Sequence, residues 1–170
     1  MKFSKVILDQ ISKNLRERNQ TIAAAESVTS GFLQLAFSQM LNAQQIYNGG
    51  ITAYTLEQKV KHLKVDSTEA KETDCVSTNI TESMALNVAN LFDADWSVAT
   101  TGYATAVPES QGEIFSYYAI AYKNRIVLSE RTDLHPMTKP LDAQKYFMEC
   151  VLNSLDRCLT KDVQSLKTNY

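Results

Sequence analysis

The run Thr21-Ile22-Ala23-Ala24-Ala25 does most to narrow what this chain can fold into. It lies between two segments of helical period and is too short to be a helix itself. Before it, residues 3–19 place Phe3, Ile7, Ile11 and Leu15 at every fourth position, with Lys, Arg and Glu between them. That is the pattern of an amphipathic helix. After it come Glu26-Ser27-Val28-Thr29-Ser30-Gly31, and then Phe32, Leu33, Leu35 and Ala36, which start a second helix running to about Met40. Alanine is a weak strand former, so length and position carry the strand assignment, not propensity. A short apolar strand between helices is the unit of an α/β sheet covered on both faces.

The rest of the chain extends that pattern. Tyr47–Tyr54 reads as a strand with a glycine pair, Gly49-Gly50, where another backbone or a ligand can approach closely. Thr55 is positioned to cap a short helix carrying Lys59, Val60 and Leu63, and the polar residues 66–74 read as a further short helix or a loop. Ile80, Met84, Val88 and Leu91 mark another helix, with Asn79 and Glu82 as its capping pair. Ala94–Thr101 reads as a strand ending at Gly102. Ile114–Tyr122 and Arg125–Arg131 form a hairpin about Lys123-Asn124. Ala143, Phe147, Val151, Leu155 and Leu159 repeat every fourth residue in a last helix over about 140–160, and 161–170 read as a polar, frayed tail. The expectation is one α/β domain over residues 1–160, built on a single mixed, mostly parallel sheet with helices on both faces.

Charge and cysteine content exclude several classes. With 17 basic and 19 acidic residues the net charge is −2, which gives no basic face for nucleic acid or for an anionic membrane. No apolar run is long enough to span a bilayer, and Asp9, Gln10 and Ser12 interrupt any signal-like apolar stretch after Lys5. Cys75, Cys150 and Cys158 are odd in number and widely spread, which suits neither a disulfide framework nor a zinc site. A reducing cytoplasm is the expected compartment, with no metal and no cofactor.

In an open α/β sheet, ligands bind beyond the carboxyl ends of the strands. Three polar clusters fall there: Glu26–Gly31, Tyr54–Lys59 and Thr101–Gly112. The first places Ser27 just before a helix whose unpaired N–H groups suit an anion or an oxyanion. Spacing alone favours a plainer role, with Ser27, Thr29 and Ser30 acting as helix caps. A nucleophilic serine also needs a base. His62 lies in a lysine-rich stretch and His135 beside Pro136, and neither stands in a triad pattern. Lys59 is the other option, because burial favours a lysine's neutral form. It follows Tyr54 by five residues across a strand-to-helix turn, so both can reach one cleft.

At these residues the chain resembles the C-terminal domain family of the competence/damage-inducible protein CinA, which also occurs as a stand-alone nicotinamide-nucleotide amidase. Thr21–Gly31 is similar to T-x-A-x-A-E-S-C-T-G-G. Tyr47–Tyr54 with Lys59 is similar to F-x-G-G-V-x-A-Y-x-x-x-x-K, Cys75-Val76-Ser77 to A-V-S, and Ala94–Gly102 to A-D-x-x-x-x-x-T-G. The matches keep their order over residues 5–160. The resemblance implies hydrolysis of nicotinamide mononucleotide to nicotinic acid mononucleotide and ammonia. Ser27 would be the nucleophile and Lys59 its base, with Tyr54 assisting. Thr101 and Gly102 would line the substrate pocket, the turn at Thr29, Ser30 and Gly31 would offer backbone N–H groups to an oxyanion or to the phosphate, and Gly49 and Gly50 would also belong to the substrate-binding site. It implies a small-molecule nucleotide or amide as partner, and a homodimer is the expected assembly.

The chain departs from the family pattern near the substrate. Ser30 replaces a glycine. Thr101–Gly112 lacks the family's A-G-P and its glycine-rich run, and Leu134–Lys139 lacks a G-D-R. Lys139 would not reproduce an arginine's two-pronged phosphate contact, and Glu109 would repel a phosphate. Three readings follow: a nicotinamide mononucleotide amidase, an amidase of the same fold with a less anionic substrate, and an inactive binding or assembly module. A Ser27 Oγ to Lys59 Nζ separation beyond hydrogen-bonding range would exclude the serine–lysine readings.

Overall fold

The computed structural model describes residues 3–167, with side chains to residue 161. Helix α1 (Lys5–Glu17) leads into β1 (Ile22–Glu26), and α2 (Phe32–Ser38) and a single turn, α3 (Ala43–Ile46), lead into β2 (Tyr47–Thr52). Three helices follow: α4 (Leu56–Leu63), α5 (Ser67–Glu72) and α6 (Thr78–Phe92). Then come β3 (Trp96–Tyr103), β4 (Ile114–Tyr122), β5 (Arg125–Leu134) and α7 (Pro140–Lys167). The strands form one sheet in the order β2-β1-β3-β4-β5. The β1–β2 and β1–β3 pairs are parallel; β3–β4 and β4–β5 are antiparallel. The sheet is therefore mixed, with its parallel half at the β2 edge and the hairpin at the other.

The alanines of β1 are explained by the pleat. Successive side chains point to opposite faces, so Ile22 and Ala24 face one layer and Ala23 and Ala25 the other. The first layer holds Leu8, Ile11 and Leu15 of α1, Leu33 and Phe37 of α2, and Val151 and Leu155 of α7, packed with Trp96, Val98 and Ile120 of the sheet. In the second, Leu63 of α4, Ala70 of α5 and Ile80, Met84 and Val88 of α6 meet a nearly all-alanine sheet face of Ala23, Ala25, Ala99, Ala119 and Ala121. Small side chains there let α6 approach closely, and Ser97 Oγ donates to the Ala85 carbonyl at 2.6 Å. Bulky residues sit on one sheet face and alanines on the other, which is why the sequence reads as a weak strand former yet forms a central strand.

Several boundaries differ from the sequence reading. Ser77, not Asn79, caps α6: its Oγ accepts the Ile80 N–H at 3.1 Å and donates to Glu69 Oε1 at 2.7 Å. The hairpin extends to Leu134. Lys123 and Asn124 both take positive φ, 46° and 60°, which matches the right-handed strand twist at a two-residue turn. Helix α7 continues past the expected end at residue 160 to Lys167, so the proposed tail is largely helical, and residues 168–170 lie outside the described part. The carboxyl ends of β1, β2 and β3 lie side by side in the parallel half, which brings the three polar clusters of the sequence together.

Candidate active site

A cavity of about 500 Å³ opens at those strand ends. Ser27 and Val28 after β1, Tyr54–Leu56 and Lys59 at the start of α4, and Thr101–Thr105 from the end of β3 line it. The turn Asp74–Val76 closes one side, and Pro140 and Gln144 of α7 close another. Its size suits a small-molecule ligand.

At the floor, Lys59 Nζ donates to Ser27 Oγ at 3.0 Å and to the Tyr54 carbonyl at 3.2 Å. Lys59 is 2% exposed, and desolvation holds its ammonium below the usual lysine range while the nearby Cys75 and Asp74 pull the other way. The helical turn of α4 sets the reach, since five residues from Tyr54 carry the lysine back over the end of β2. A buried amine shifted toward its neutral form, at hydrogen-bond distance from a serine hydroxyl, can take that hydroxyl's proton.

The turn after β1 is organised by a residue the sequence reading passed over. The buried Glu26 carboxylate accepts the N–H groups of Gly31, Leu33 and Gln34 at 3.0, 3.0 and 2.8 Å, and the Thr29 hydroxyl at 2.6 Å. Thr29 Oγ1 is also 2.8 Å from Thr100 Oγ1. The N-terminus of α2, expected to hold an anion from the substrate, is thus satisfied by the protein's own carboxylate. Thr29, Ser30 and Gly31 stand outside the cavity lining, so what this turn can offer a ligand is backbone N–H groups. Ser30 N–H donates to the Ser27 carbonyl at 3.1 Å, and Ser30 and Gly31 take φ of 50° and 101°. Glycine is favoured at both positions for backbone reasons. Ser30 therefore adds strain to the turn, and it stands outside the cavity lining. Among the described residues the Val28 and Thr29 N–H groups have no acceptor, and they are the donors this turn leaves over.

Gly49 and Gly50 are likewise not among the residues lining the cavity. They lie within β2, away from the cavity, and their bareness serves packing. A Cβ on Gly50 would meet the Ala24 carbonyl oxygen at 2.8 Å, and one on Gly49 would meet the Phe92 ring at 2.7 Å. Tyr54 lines the cavity, but it contacts Lys59 through its carbonyl; its side chain is 67% exposed at the mouth. The contact between the two residues thus runs through the Tyr54 main chain.

Thr101 and Gly102 do line the cavity. Thr101 Oγ1 donates to the Cys75 carbonyl at 2.9 Å and ties the end of β3 to the 74–76 turn. A Cβ on Gly102 would fall 2.2 Å from the Phe115 carbonyl oxygen, so only glycine fits against β4 there. The structure adds Asp74, Cys75, Tyr103 and Gln144 to the wall. Tyr103 Oη donates to Asp74 Oδ2 at 2.8 Å, and Gln144 Nε2 donates to the Val28 carbonyl at 3.0 Å. The only early sign of this turn was the Cys75-Val76-Ser77 block, which carried no chemical assignment. Among the described residues, no His, Cys, Asp and Glu side chains group as metal ligands would. No described helix is long and apolar enough to cross a membrane.

Comparison with known proteins gives a consistent result. The family model for the CinA C-terminal domain matches residues 4–159. A CinA-like protein of Prochlorococcus marinus (strain MIT 9301) is 31% identical over 154 residues, covering 88% of this chain and 36% of the relative. One from strain MIT 9215 is 30% identical over 145 residues, covering 84% and 34%. The chain thus spans about a third of the length of these curated relatives. The crystal structure of the competence damage-inducible protein A from Klebsiella pneumoniae (MGH 78578) superposes with a TM-score of 0.85 over 94% of this chain and 98% of that one. At 19% identity, it supports the fold alone.

Proposed function

The chain belongs to the CinA C-terminal domain family, and from that premise we propose that it is a serine amidohydrolase of the nicotinamide mononucleotide amidase type. The observation that carries the reading is the 3.0 Å approach of Lys59 Nζ to Ser27 Oγ in a buried setting that disfavours the ammonium.

In the proposed reaction, neutral Lys59 accepts the Ser27 Oγ proton as the oxygen attacks the amide carbon. The oxyanion forms beside Val28, whose N–H, with that of Thr29, is the available donor pair. The Lys59 ammonium then gives its proton to the leaving nitrogen, ammonia departs, and an acyl-serine ester remains. Lys59, neutral again, takes a proton from water, which attacks the ester. Collapse releases the carboxylate product and returns the proton to Ser27. An amide is a poor electrophile, so each of these aids is needed. The Tyr54 carbonyl holds the amine in line with the serine throughout.

The test is ammonia release from nicotinamide mononucleotide, with Ser27→Ala beside the unaltered protein. Turnover abolished by the substitution supports the reading. If the protein binds nicotinamide compounds but releases no ammonia from any of them, it is a binding module of the same fold.

A further inference from the structure

Taking Ser27 as the nucleophile toward a carboxamide, we propose that this cavity selects a cationic carboxamide that carries no phosphate, and that Asp74 is the residue that imposes the choice. Lys59 and Asp74 are the charged side chains among the described residues lining the cavity. Lys59 is buried at the floor and committed to Ser27 and the Tyr54 carbonyl. With the amine held by those two partners at the floor, Asp74 is the charged side chain left at the wall to meet a ligand.

Asp74 is held in place rather than hanging free. It follows α5 with φ of 50°, its neighbour Cys75 has φ of 61°, and the Cys75 carbonyl is fixed by Thr101. Tyr103 Oη donates to its carboxylate at 2.8 Å across the mouth. A second acid bears on the same place, since burial first, and then Asp74 and Glu109, push the Tyr103 phenol well above its usual range. No arginine lines the cavity among the described residues. The helix end next to the nucleophile, where a phosphate would find N–H donors, is filled by Glu26. A phosphate dianion would meet the like charge of Asp74 here, with no arginine to offset it and with the Val28 and Thr29 N–H groups already taken by the oxyanion. A ring cation such as a pyridinium would meet the Asp74 carboxylate and the aromatic side chain of Tyr103, both in the cavity wall.

The probes are nicotinamide riboside and nicotinamide mononucleotide, which differ by the phosphate. Titration calorimetry on the Ser27→Ala protein reads their binding without turnover. The riboside is expected to bind at least about tenfold more tightly, and lowering the ionic strength should widen the gap. Asp74→Asn keeps a residue that tolerates the left-handed backbone and can still accept from Tyr103. It should shrink the preference at least about threefold, by weakening the riboside and strengthening the nucleotide. Equal or tighter binding of the nucleotide, a preference unchanged by Asp74→Asn, or binding of neither probe would each overturn the proposal. Riboside that binds with the expected preference but releases no ammonia from the unaltered protein supports the charge selection while removing the amidase reading.

Discussion

Two strand-to-helix turns meet at the cavity and use their helix ends in opposite ways. After β1, the N-terminus of α2 is closed from within, because Glu26 accepts three of its N–H groups and the Thr29 hydroxyl. After β2, α4 begins with Thr55, whose side chain makes no cap hydrogen bond, and its first turn faces the cavity and delivers Lys59 to Ser27. The first turn uses its carboxylate to tie down the backbone that follows Ser27. The second spends its geometry on one side chain. A helix terminus beside a nucleophile is therefore not automatically the ligand's anion site; its donors have to be counted first.

The comparison breaks most sharply at Lys59. Lys59→Met should lower amide turnover about a thousandfold while the protein stays folded, as seen by an unchanged far-ultraviolet circular dichroism spectrum. Turnover within a few-fold of the unaltered protein would remove the lysine from the mechanism. Glu26→Ala acts on the other turn and should cost about 3 kcal/mol of stability, because it leaves three N–H groups and a buried threonine without their acceptor. Urea titration reads this. A loss no larger than that of an average surface substitution would mean that water replaces the carboxylate and that the turn is not closed from within.

Next comes a pH effect. Burial lowers the folded-state Lys59 pKa below its unfolded value. Between the two values the unfolded chain binds more protons than the folded one, so stability rises with pH across that window. The penalty is complete below the folded pKa and gone above the unfolded one. The stability advantage of Lys59→Met should therefore shrink as pH climbs through the window, and turnover should rise over the lower part of the same range. A flat difference in melting temperature across alkaline pH would contradict a neutral-leaning lysine. The smallest effect is at Ser30, whose φ of 50° suits glycine. Ser30→Gly should stabilise the protein by about 0.5 kcal/mol, with turnover unchanged, since Ser30 stands outside the cavity. A large gain in turnover would show that the serine side chain obstructs substrate after all.

Much of the molecule was legible in order and kind. The alternating helices and strands, the late hairpin about Lys123-Asn124 and the grouping of three polar clusters at strand ends follow from local periodicity and turn chemistry, and the structure has them. The small residues were harder to read: Gly49, Gly50, Ser30 and Gly31 sit in motif blocks and invite a reading as substrate contacts, while the structure shows Gly49 and Gly50 against Phe92 and Ala24, and Ser30 and Gly31 at positive φ in one turn. A glycine in a sequence says that space or an unusual φ is needed, not what fills the space. The cap of α6 was missed by two residues because Asn79 and Ser77 are both competent caps, and the contact with Glu69 that favours Ser77 lies outside the helix.

The amino-acid sequence by itself determined the elements, the burial of β1 and a short set of candidates that includes Ser27 and Lys59. Those follow from periodicity and residue chemistry over a few neighbouring positions. Only the tertiary structure decided which candidates meet. Ser27 and Lys59 are 32 residues apart, Tyr103 and Asp74 are 29 apart, and Gln144 reaches Val28 across 116. The sheet order that closes these distances also sets the desolvation that shifts Lys59 and the fixed carboxylate at the mouth. Both come from what is packed around a group, and a residue's surroundings are fixed by the fold rather than by its neighbours in sequence.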